Sequence, residues 1–386
     1  MKRFTKILAL MMAMTLVLAS MSAMAAGAAI YDADGLFTSR DMEQTADLTD
    51  AVAYTVSDGE DIHITSGGVY ALTGSASNVT IYVEAADDDK VQLVLDGVTI
   101  TNAGAPAIYV KEADKVFVTT SGDSALSVTG AFAADGKTNL DGVIFSRSDL
   151  VLSGTAALTI SSSDNGIVCK DDLKITGGTY QISAASRAVE ANDSIRIAGG
   201  TLTLSAGSDG LHAENDDDDT LGYIYIGGGS LTINAGDDGI HALSTVQIDG
   251  GTITVKAAEG IEGTYIQING GSIDIQATDD GINAARRSSA CTPTVEINDG
   301  AITVVMGSGD TDGIDSNGNI IVNGGTINVT GNSTFDFDGT AQYNGGTIIV
   351  NGQQIDYIPN QMMGGGMGGR GNPQGGWGGK GGHGGW

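Results

Sequence analysis

The sequence has few of the residues on which several classes of protein depend. Its 386 residues include four prolines, two cysteines and 18 lysines and arginines, and only 5% are aromatic. Two cysteines cannot make a disulfide framework, and four prolines without a Gly-X-Y period exclude collagen. Acidic residues number 47, so the formal net charge is −29. This charge excludes a typical nucleic-acid binder, because phosphate recognition relies on lysine and arginine.

Glycine is abundant and follows a repeat. The chain has 59 glycines, about twice the usual share. A glycine pair, or Asp-Gly, recurs before a segment in which small residues, mostly Thr or Ser, alternate with aliphatic ones. Its second glycine occupies positions 178, 200, 229, 251, 271, 300, 325 and 346. Most steps are 20 to 25 residues, and the two steps of 29 contain insertions at residues 214–221 and 285–294, called here the first and second insertions.

Each repeat contains three short stretches of alternating residues. One follows an acidic residue and glycine, as in Asp209-Gly210-Leu211, and another, such as Ile195-Arg196-Ile197, precedes the glycine pair. Alternation with period two indicates strands, and three strands in about 21 residues are typical of a parallel β-helix. We therefore predict an all-β solenoid of roughly eleven coils over residues 61–358, preceded by a cap at residues 26–60.

The two ends of the chain have other compositions. Lys2, Arg3 and Lys6 precede an uncharged, mostly apolar stretch, and Ala23-Met24-Ala25 matches a cleavage site, so residues 1–25 are predicted to be a signal peptide. We expect a secreted or cell-surface monomer with no membrane-spanning segment after cleavage. Glycine makes up 14 of the last 23 residues, and residues 359–386 are predicted to be a flexible tail.

Alignment of the repeats predicts which side chains share a face. If Ile167 and its equivalents point inward, the residues beside them point outward. The first outward column is Val168, Glu190, His212, His241, Glu262, Asn283 and Asp315, and a second begins with Lys170, Asn192 and Glu214. Cys169 belongs to an inward column of small residues, and Cys291 lies in the second insertion, so both are predicted to be free thiols.

The outward columns supply the candidate contacts with sugar, although solvated surface polarity is the simpler interpretation of the histidines. The predicted carbohydrate-binding residues are Lys170, Glu190, Asn192, His212, Glu214, His241, Glu262 and Tyr225. Zinc is not predicted, because two histidines without a third converging ligand are too few. Lys170 or Arg187 could act as the base of a β-elimination, but neutralisation of acidic neighbours is the favoured role of Lys170.

Acidic residues beside these columns predict a calcium site. Stacked carboxylates raise one another's pKa or recruit a cation, and clustered oxygen ligands favour Ca²⁺. A solvated acidic edge that opposes aggregation is the alternative. The aspartates concerned are Asp171, Asp172, Asp193, Asp209 and Asp216 to Asp219.

Several blocks resemble a known family. Residues 163–175, 193–201 and 88–98 are similar to a family of secreted bacterial carbohydrate-binding proteins, formerly a domain of unknown function, with a right-handed β-helix like that of pectate lyases. The resemblance implies bound calcium and binding of cellulose and acidic sugars such as polygalacturonate. It points to Lys170, Asp171, Asp172, Asp193, Asp209, Asn215 and Asp216, the last six as metal ligands. The segment 186–192 lacks a lysine that the family often has, and His212 stands where a lysine is common.

The hypothesis is therefore a non-catalytic extracellular protein that binds a plant-type polysaccharide, acidic or cellulosic, with calcium. A calcium-dependent lyase and a structural surface adhesin are the alternatives. Catalytic residues are not assigned.

Overall fold

The computed structural model describes residues 29–308 and 311–360. The predicted signal peptide lies outside the described residues, as does the predicted tail from residue 361 onward.

Within this part of the chain the structure has one short helix and 36 strands. In chain order they are α1 (Ala33–Leu36), β1 (Val52–Thr55), β2 (Ile62–Ile64), β3 (Gly68–Ser77), β4 (Ile81–Glu84), β5 (Lys90–Asn102), β6 (Ile108–Glu112), β7 (Lys115–Gly122), β8 (Ser124–Val128), β9 (Gly142–Ser146), β10 (Asp149–Gly154), β11 (Ala157–Ser162), β12 (Asn165–Cys169), β13 (Asp172–Ile175), β14 (Thr179–Ala184), β15 (Val189–Ala191), β16 (Ser194–Ile197), β17 (Thr201–Ala206), β18 (Leu211–Ala213), β19 (Tyr223–Ile226), β20 (Ser230–Ala235), β21 (Asp238–Ala242), β22 (Thr245–Ile248), β23 (Thr252–Ala257), β24 (Glu259–Gly263), β25 (Tyr265–Ile268), β26 (Ser272–Ala277), β27 (Ile282–Ala284), β28 (Thr294–Ile297), β29 (Ala301–Met306), β30 (Asp312–Ser316), β31 (Asn319–Val322), β32 (Thr326–Thr330), β33 (Ser333–Phe337), β34 (Ala341–Tyr343), β35 (Thr347–Val350) and β36 (Gln353–Ile355).

The strands form two sheets in which sequence neighbours do not pair. Each strand from β9 to β32 pairs in parallel with the strand three places further along the chain, as β12 does with β15 and β13 with β16. In the described residues a smaller sheet of twelve strands contains β2, β4 and β6 and then every third strand from β9 to β33. The other 24 strands form a larger sheet, whose two series are joined by the long strand β5, which pairs with both β7 and β8. The predicted all-β, parallel architecture is confirmed.

The repeated glycine marks a corner of the backbone. The second glycine of each of the eight pairs has a positive φ, between 79° and 108°, which L-residues rarely adopt. At Gly251 a Cβ would also lie 3.0 Å from the carbonyl oxygen of Gly229 in the preceding repeat. Close stacking of successive corners therefore explains much of the glycine excess.

The core is one continuous cluster of aliphatic side chains that all three strands of a repeat supply. Ile167, Leu173 and Ile182 in β12, β13 and β14 are at most 2% exposed. In β14 buried and exposed residues alternate, whereas all five residues of β12 are buried. In this part of the smaller sheet the outward side chains are therefore buried as well as the inward ones.

The N-terminal segment, residues 29–44, lies across several repeats of the larger sheet. The Tyr31 ring stacks on Tyr223 at 4.3 Å between centroids, while Lys174 donates to Asp41 at 3.0 Å. Residues 29–44 of the predicted cap region therefore lie along the larger sheet rather than over the first coil. They cover outward side chains that would otherwise be open to solvent, and the first paired strand of this region is β1, which pairs with β3.

Candidate functional site

A single column of side chains runs along the outer face of the smaller sheet. The strand register places Val168, Glu190, His212, His241, Glu262, Asn283 and Asp315 opposite one another in turn. This confirms the column that the repeat alignment predicts. We call the whole column the outer ladder.

The outer ladder extends beyond the predicted residues at both ends. Upstream of Val168 it continues through Phe145, Tyr109, Tyr82 and His63, and downstream of Asp315 it reaches Asp336. Alternation in the sequence also points Tyr82 and Tyr109 outward, but it does not reveal their continuity with the histidines. The early repeats are irregular, and β4 and β6 pair with a register shift after Val83.

The upstream stretch of the ladder is aromatic. The His63 and Tyr82 rings are nearly parallel with centroids 4.9 Å apart, and Tyr109 meets Phe145 edge-on at 5.7 Å. The Lys111 ammonium lies 4.6 Å from the Tyr82 ring centre, a cation–π distance. Tyr109 and Phe145 are buried, so Tyr82 and His63 form the accessible end of this stretch.

The central stretch is ionised and begins at Glu190. This carboxylate is 8% exposed and lies 2.8 Å from the Lys170 ammonium and 3.1 Å from the Arg187 guanidinium. Burial raises the pKa of Glu190, but the two cations lower it more, so the pKa lies below its ordinary value. The pairing supports neutralisation as the role of Lys170.

The two histidines stack with ring centroids 4.6 Å apart. His212 Nδ1 lies 2.9 Å from Asp209, and His241 Nδ1 lies 2.7 Å from both Asp238 and Glu262. Burial lowers the pKa of His241, but its bonds to the two carboxylates outweigh this effect and raise it to about 10. The pKa of Asp209 is well below its ordinary value, because the nearby His212 and the backbone amide of Asp238 together outweigh burial.

The two insertions meet and cover part of this stretch. Ser288 Oγ in the second insertion donates to the carbonyl oxygen of Asp219 in the first at 2.6 Å. The second insertion also carries Arg287, which contacts both oxygens of Glu262 at 2.8 and 3.0 Å. Residues 69 apart in sequence therefore combine over one part of the ladder.

Downstream, carboxylates accumulate with fewer basic partners. Burial and then the charges of Asp280 and Asp312 raise the pKa of Asp315 to about 7. Burial is also the main reason that the pKa of Glu259 is about 7 and that of Asp280 about 6. Carboxyl groups at and beside this end of the ladder therefore lose their protons at a higher pH than exposed carboxyl groups do.

A cleft of about 200 Å³ lies beside the start of the ionised stretch. It gathers five predicted carbohydrate contacts together with Arg187 and a predicted metal ligand. Its lining residues are Lys170, Arg187, Glu190, Asn192, His212, Glu214 and Asp216.

Three of the predicted carbohydrate contacts lie outside this cleft. His241 and Glu262 are 7% and 1% exposed, because acidic partners and Arg287 enclose them. Tyr225 belongs to the larger sheet, where Phe37 of the N-terminal segment covers it, with ring centroids 6.2 Å apart. The interpretation of the two histidines as solvated surface residues is also wrong, because both are buried.

The predicted metal ligands divide between the two ends of a strand. Asp209 precedes β18 and binds Arg187, whereas Asn215 and Asp216 follow β18. Asp172 is engaged by Arg196 and Ser194, each at 2.6 Å. The six residues therefore do not converge on one ion.

Among the six predicted metal ligands, Asp171 and Asp193 agree best with the predicted calcium site. They occupy equivalent positions in neighbouring repeats, and the backbone nitrogen of Asp193 donates to the carbonyl of Asp171 at 3.4 Å. Burial and then the charges of Asp149 and Asp193 raise the pKa of Asp171 to about 6. Asn215 donates to Asp193 at 2.7 Å and accepts from the amide of Asp217 in its own loop, so it orders the loop.

The chain is an all-β protein with parallel sheets and a polar cleft. Comparison with known proteins identifies its family. The profile of carbohydrate-binding domain-containing proteins matches residues 58–264 and 259–356. The chain belongs to this family. A relative of the same description from Acetivibrio thermocellus is 33% identical over 129 residues, which are 32% of this chain and 45% of that protein.

A solved structure is also similar. It is the gadolinium derivative of a polysaccharide lyase-like protein from C. thermocellum, with 28% identity and a TM-score of 0.52. The similarity covers 58% of this chain and 96% of that one. Within the described residues, none of the helical structure has the length and apolar character needed to cross a membrane.

Proposed function

We propose that this protein is a non-catalytic, extracellular binder of an acidic polysaccharide such as polygalacturonate, and that it binds with calcium. The observation that carries the proposal is the cleft that gathers Lys170, Arg187, Asn192 and Glu214 in a chain of the carbohydrate-binding family. The predicted signal peptide supports an extracellular location.

The scaffold is a right-handed parallel β-helix of about eleven coils in this proposal. Pairing between every third strand supports it, because successive turns of one winding chain would pair in this way. Such a rigid rod holds the cleft residues at fixed strand spacing along the glycan.

Asp171 and Asp193 are the residues that would hold calcium. Their mutual repulsion is consistent with a cation site, since Asp171 keeps a pKa of about 6 in part through the charges of its neighbours. Carboxylate oxygens are the ligands that Ca²⁺ prefers, and the gadolinium in the similar structure is likewise a hard cation. Bound calcium would supply positive charge for the carboxylates of the sugar.

Charge explains why an acidic glycan needs this arrangement. A chain with a formal charge of −29 repels a polyanion. Lys170 and Arg187 present the basic groups of the cleft, each 34% exposed and each already paired with Glu190. A uronate would approach this partly neutralised surface, with Asn192 and Glu214 available for its hydroxyl groups.

A neutral sugar has a second place to bind on the same face. The His63 and Tyr82 rings stack at the aromatic end of the ladder, and Tyr82 also lines a cleft of about 380 Å³ that includes Asp61, Asn78 and Asn102. Aromatic faces pack against apolar faces of ligands while nearby polar groups fix orientation. This stretch supports cellulose as an additional ligand.

The test is sedimentation with pectate gel and with cellulose, with calcium and with a chelator. We expect pectate binding to need calcium and to fall at least about tenfold in the Asp171→Asn variant, because the variant loses a charged oxygen ligand. Asp274→Asn is the matched control, since Asp274 is exposed on the larger sheet. Pectate binding that is unchanged in chelator would contradict the role of calcium.

The lyase alternative is tested in the same mixture. The similarity to a polysaccharide lyase-like protein favours this alternative, and Lys170 and Arg187 occupy the cleft. Both groups are held by Glu190, which opposes proton abstraction by either. We expect no rise in the ultraviolet absorbance of unsaturated uronide, and a rise that Lys170→Ala abolishes would establish the enzyme.

A further inference from the structure

Two histidines of the outer ladder and Glu214 beside it meet at the edge of the cleft. Ligand atoms of His212, His241 and Glu214 all lie within 4.8 Å of one another. His212 Nε2 is already 3.2 Å from the Glu214 carboxylate. We propose that these three residues form a binding site for a divalent transition metal, with Zn²⁺ as the ion that suits them.

The other ring nitrogen of each histidine lies beside a carboxylate. Asp209 lies 2.9 Å from Nδ1 of His212, and Asp238 lies 2.7 Å from Nδ1 of His241. A carboxylate on Nδ1 fixes the tautomer, orients the ring and directs Nε2 to the metal. His241 already makes this hydrogen bond to Asp238. At His212 the carboxylate is within reach of Nδ1 but not in hydrogen-bond geometry, so a small rotation of the ring would complete the pair.

A second acidic group around His241 is a poorer site. Asp238, His241 and Glu262 also bring ligand atoms within 4.8 Å of one another. However, Nδ1 of His241 already contacts both carboxylates, and the guanidinium of Arg287 contacts Glu262. The ring and Arg287 already satisfy these carboxylates, so the side of His241 toward Glu214 is where an added ion fits.

The donor set favours zinc over calcium. Two imidazole nitrogens and one carboxylate oxygen match the three-ligand sites in which zinc keeps an open fourth position, whereas calcium takes oxygen ligands alone. His212 and Glu214 both line the cleft, so the fourth position faces it. Binding displaces the proton from Nε2 of His241 to solvent. The site does not depend on the proposed glycan binding.

The three ligands come from two different repeats, so their spacing in the sequence does not show that they meet. Glu214 follows His212 by two residues and is 44% exposed at the cleft. His241 joins through the pairing of β18 with β21, 29 residues later. The repeat alignment places Glu214 in a different column from the two histidines, so it does not show that Glu214 reaches them.

The test is titration of the full chain with Zn²⁺ by calorimetry, followed by NMR of the histidine ring nitrogens. We expect one zinc ion per chain at this site and shifts of His212 and His241 Nε2. Glu214→Gln should weaken binding more than about tenfold, because it removes a ligand. Asp238→Asn should weaken it about 10- to 100-fold through the ring orientation.

His63→Asn is the matched control. His63 stands in the same ladder and contacts Glu84, at the aromatic end, so its replacement should leave zinc affinity unchanged. Glu214 is partly exposed, and circular dichroism should show that its variant keeps the native strand signal. Zinc affinity that is equal in wild type and Glu214→Gln, or ring shifts confined to other histidines, would overturn the proposal.

Discussion

Two stretches of the outer ladder share one geometry and use opposite chemistry. From His63 to Val168 the stacked side chains are mostly aromatic and pack against one another, while from Glu190 to Glu262 they are ionisable and each lies beside an ionisable partner. Strand spacing forces close contact in both. The aromatic stretch gains from that proximity directly, whereas the ionised stretch needs Lys170, Arg187 and Arg287 to supply opposite charge.

A buried side chain of the ladder needs different neighbours in the two stretches. Phe145 is fully buried and needs only apolar neighbours such as Leu140 and Val168. Glu262 is also nearly fully buried, and its charge is met by an imidazolium and a guanidinium. Removal of one partner should therefore affect the two stretches for different reasons.

The largest expected effect is in the aromatic stretch. Phe145→Ala should lower the free energy of unfolding by about 3–5 kcal/mol, because it leaves a cavity beneath Tyr109. Urea denaturation with and without the substitution measures this. Tyr82→Ala is the control and should cost less, since Tyr82 is only partly buried. Equal losses at the two positions would show that burial does not control this stretch.

Loss of a charge in the ionised stretch should come next. Glu262→Gln should destabilise the fold by about 3 kcal/mol, because His241 and Arg287 lose a buried counter-charge. Glu296→Gln is a matched control: Glu296 is buried but accepts from the neutral donors Tyr265 and Gln267. Unfolding curves measured at pH 7 should show a loss of at most about 1 kcal/mol for the control. A larger loss there would remove the distinction.

The smallest effect concerns pH at the downstream end. The pKa of Asp315 is raised to about 7, so the folded state binds a proton more tightly than the unfolded state. This stabilisation is full below the ordinary pKa of an aspartate and is lost as pH rises to about 7.

Between pH 4 and pH 8, in chelator, the wild type should therefore lose about 1 kcal/mol more than Asp315→Asn, after allowance for solvent screening. Urea midpoints across this range give the comparison. Parallel pH profiles for the two proteins would mean that Asp315 titrates as it does in the unfolded chain.

Regular repeats made much of the ladder predictable. Equivalent positions in the repeats from 164 to 315 identified Val168 to Asp315 in register, and the inward position of Cys169 followed from the same alternation. The aromatic stretch of the ladder was not predicted, because the early repeats contain a register shift and a long loop before Gly142.

Burial of the ladder was less predictable, because it depends on contacts between distant segments. Sequence located both insertions but did not show that Ser288 contacts Asp219. It also did not show that Phe37 covers Tyr225. The separation of Asp209 from Asn215 could have been predicted from the sequence, because the strand β18 lies between them.

The N-terminal segment has a consequence for how the protein folds. A repeat normally exchanges stabilisation only with its two neighbours, so the ends of a long array can open separately. Here the stretch from Tyr31 to Asp41 bonds to Gln247 and to Lys174, and so ties repeats far apart into one cooperative unit. These residues are synthesised before their partners and can dock only after those repeats have formed, which places a long loop closure late in folding.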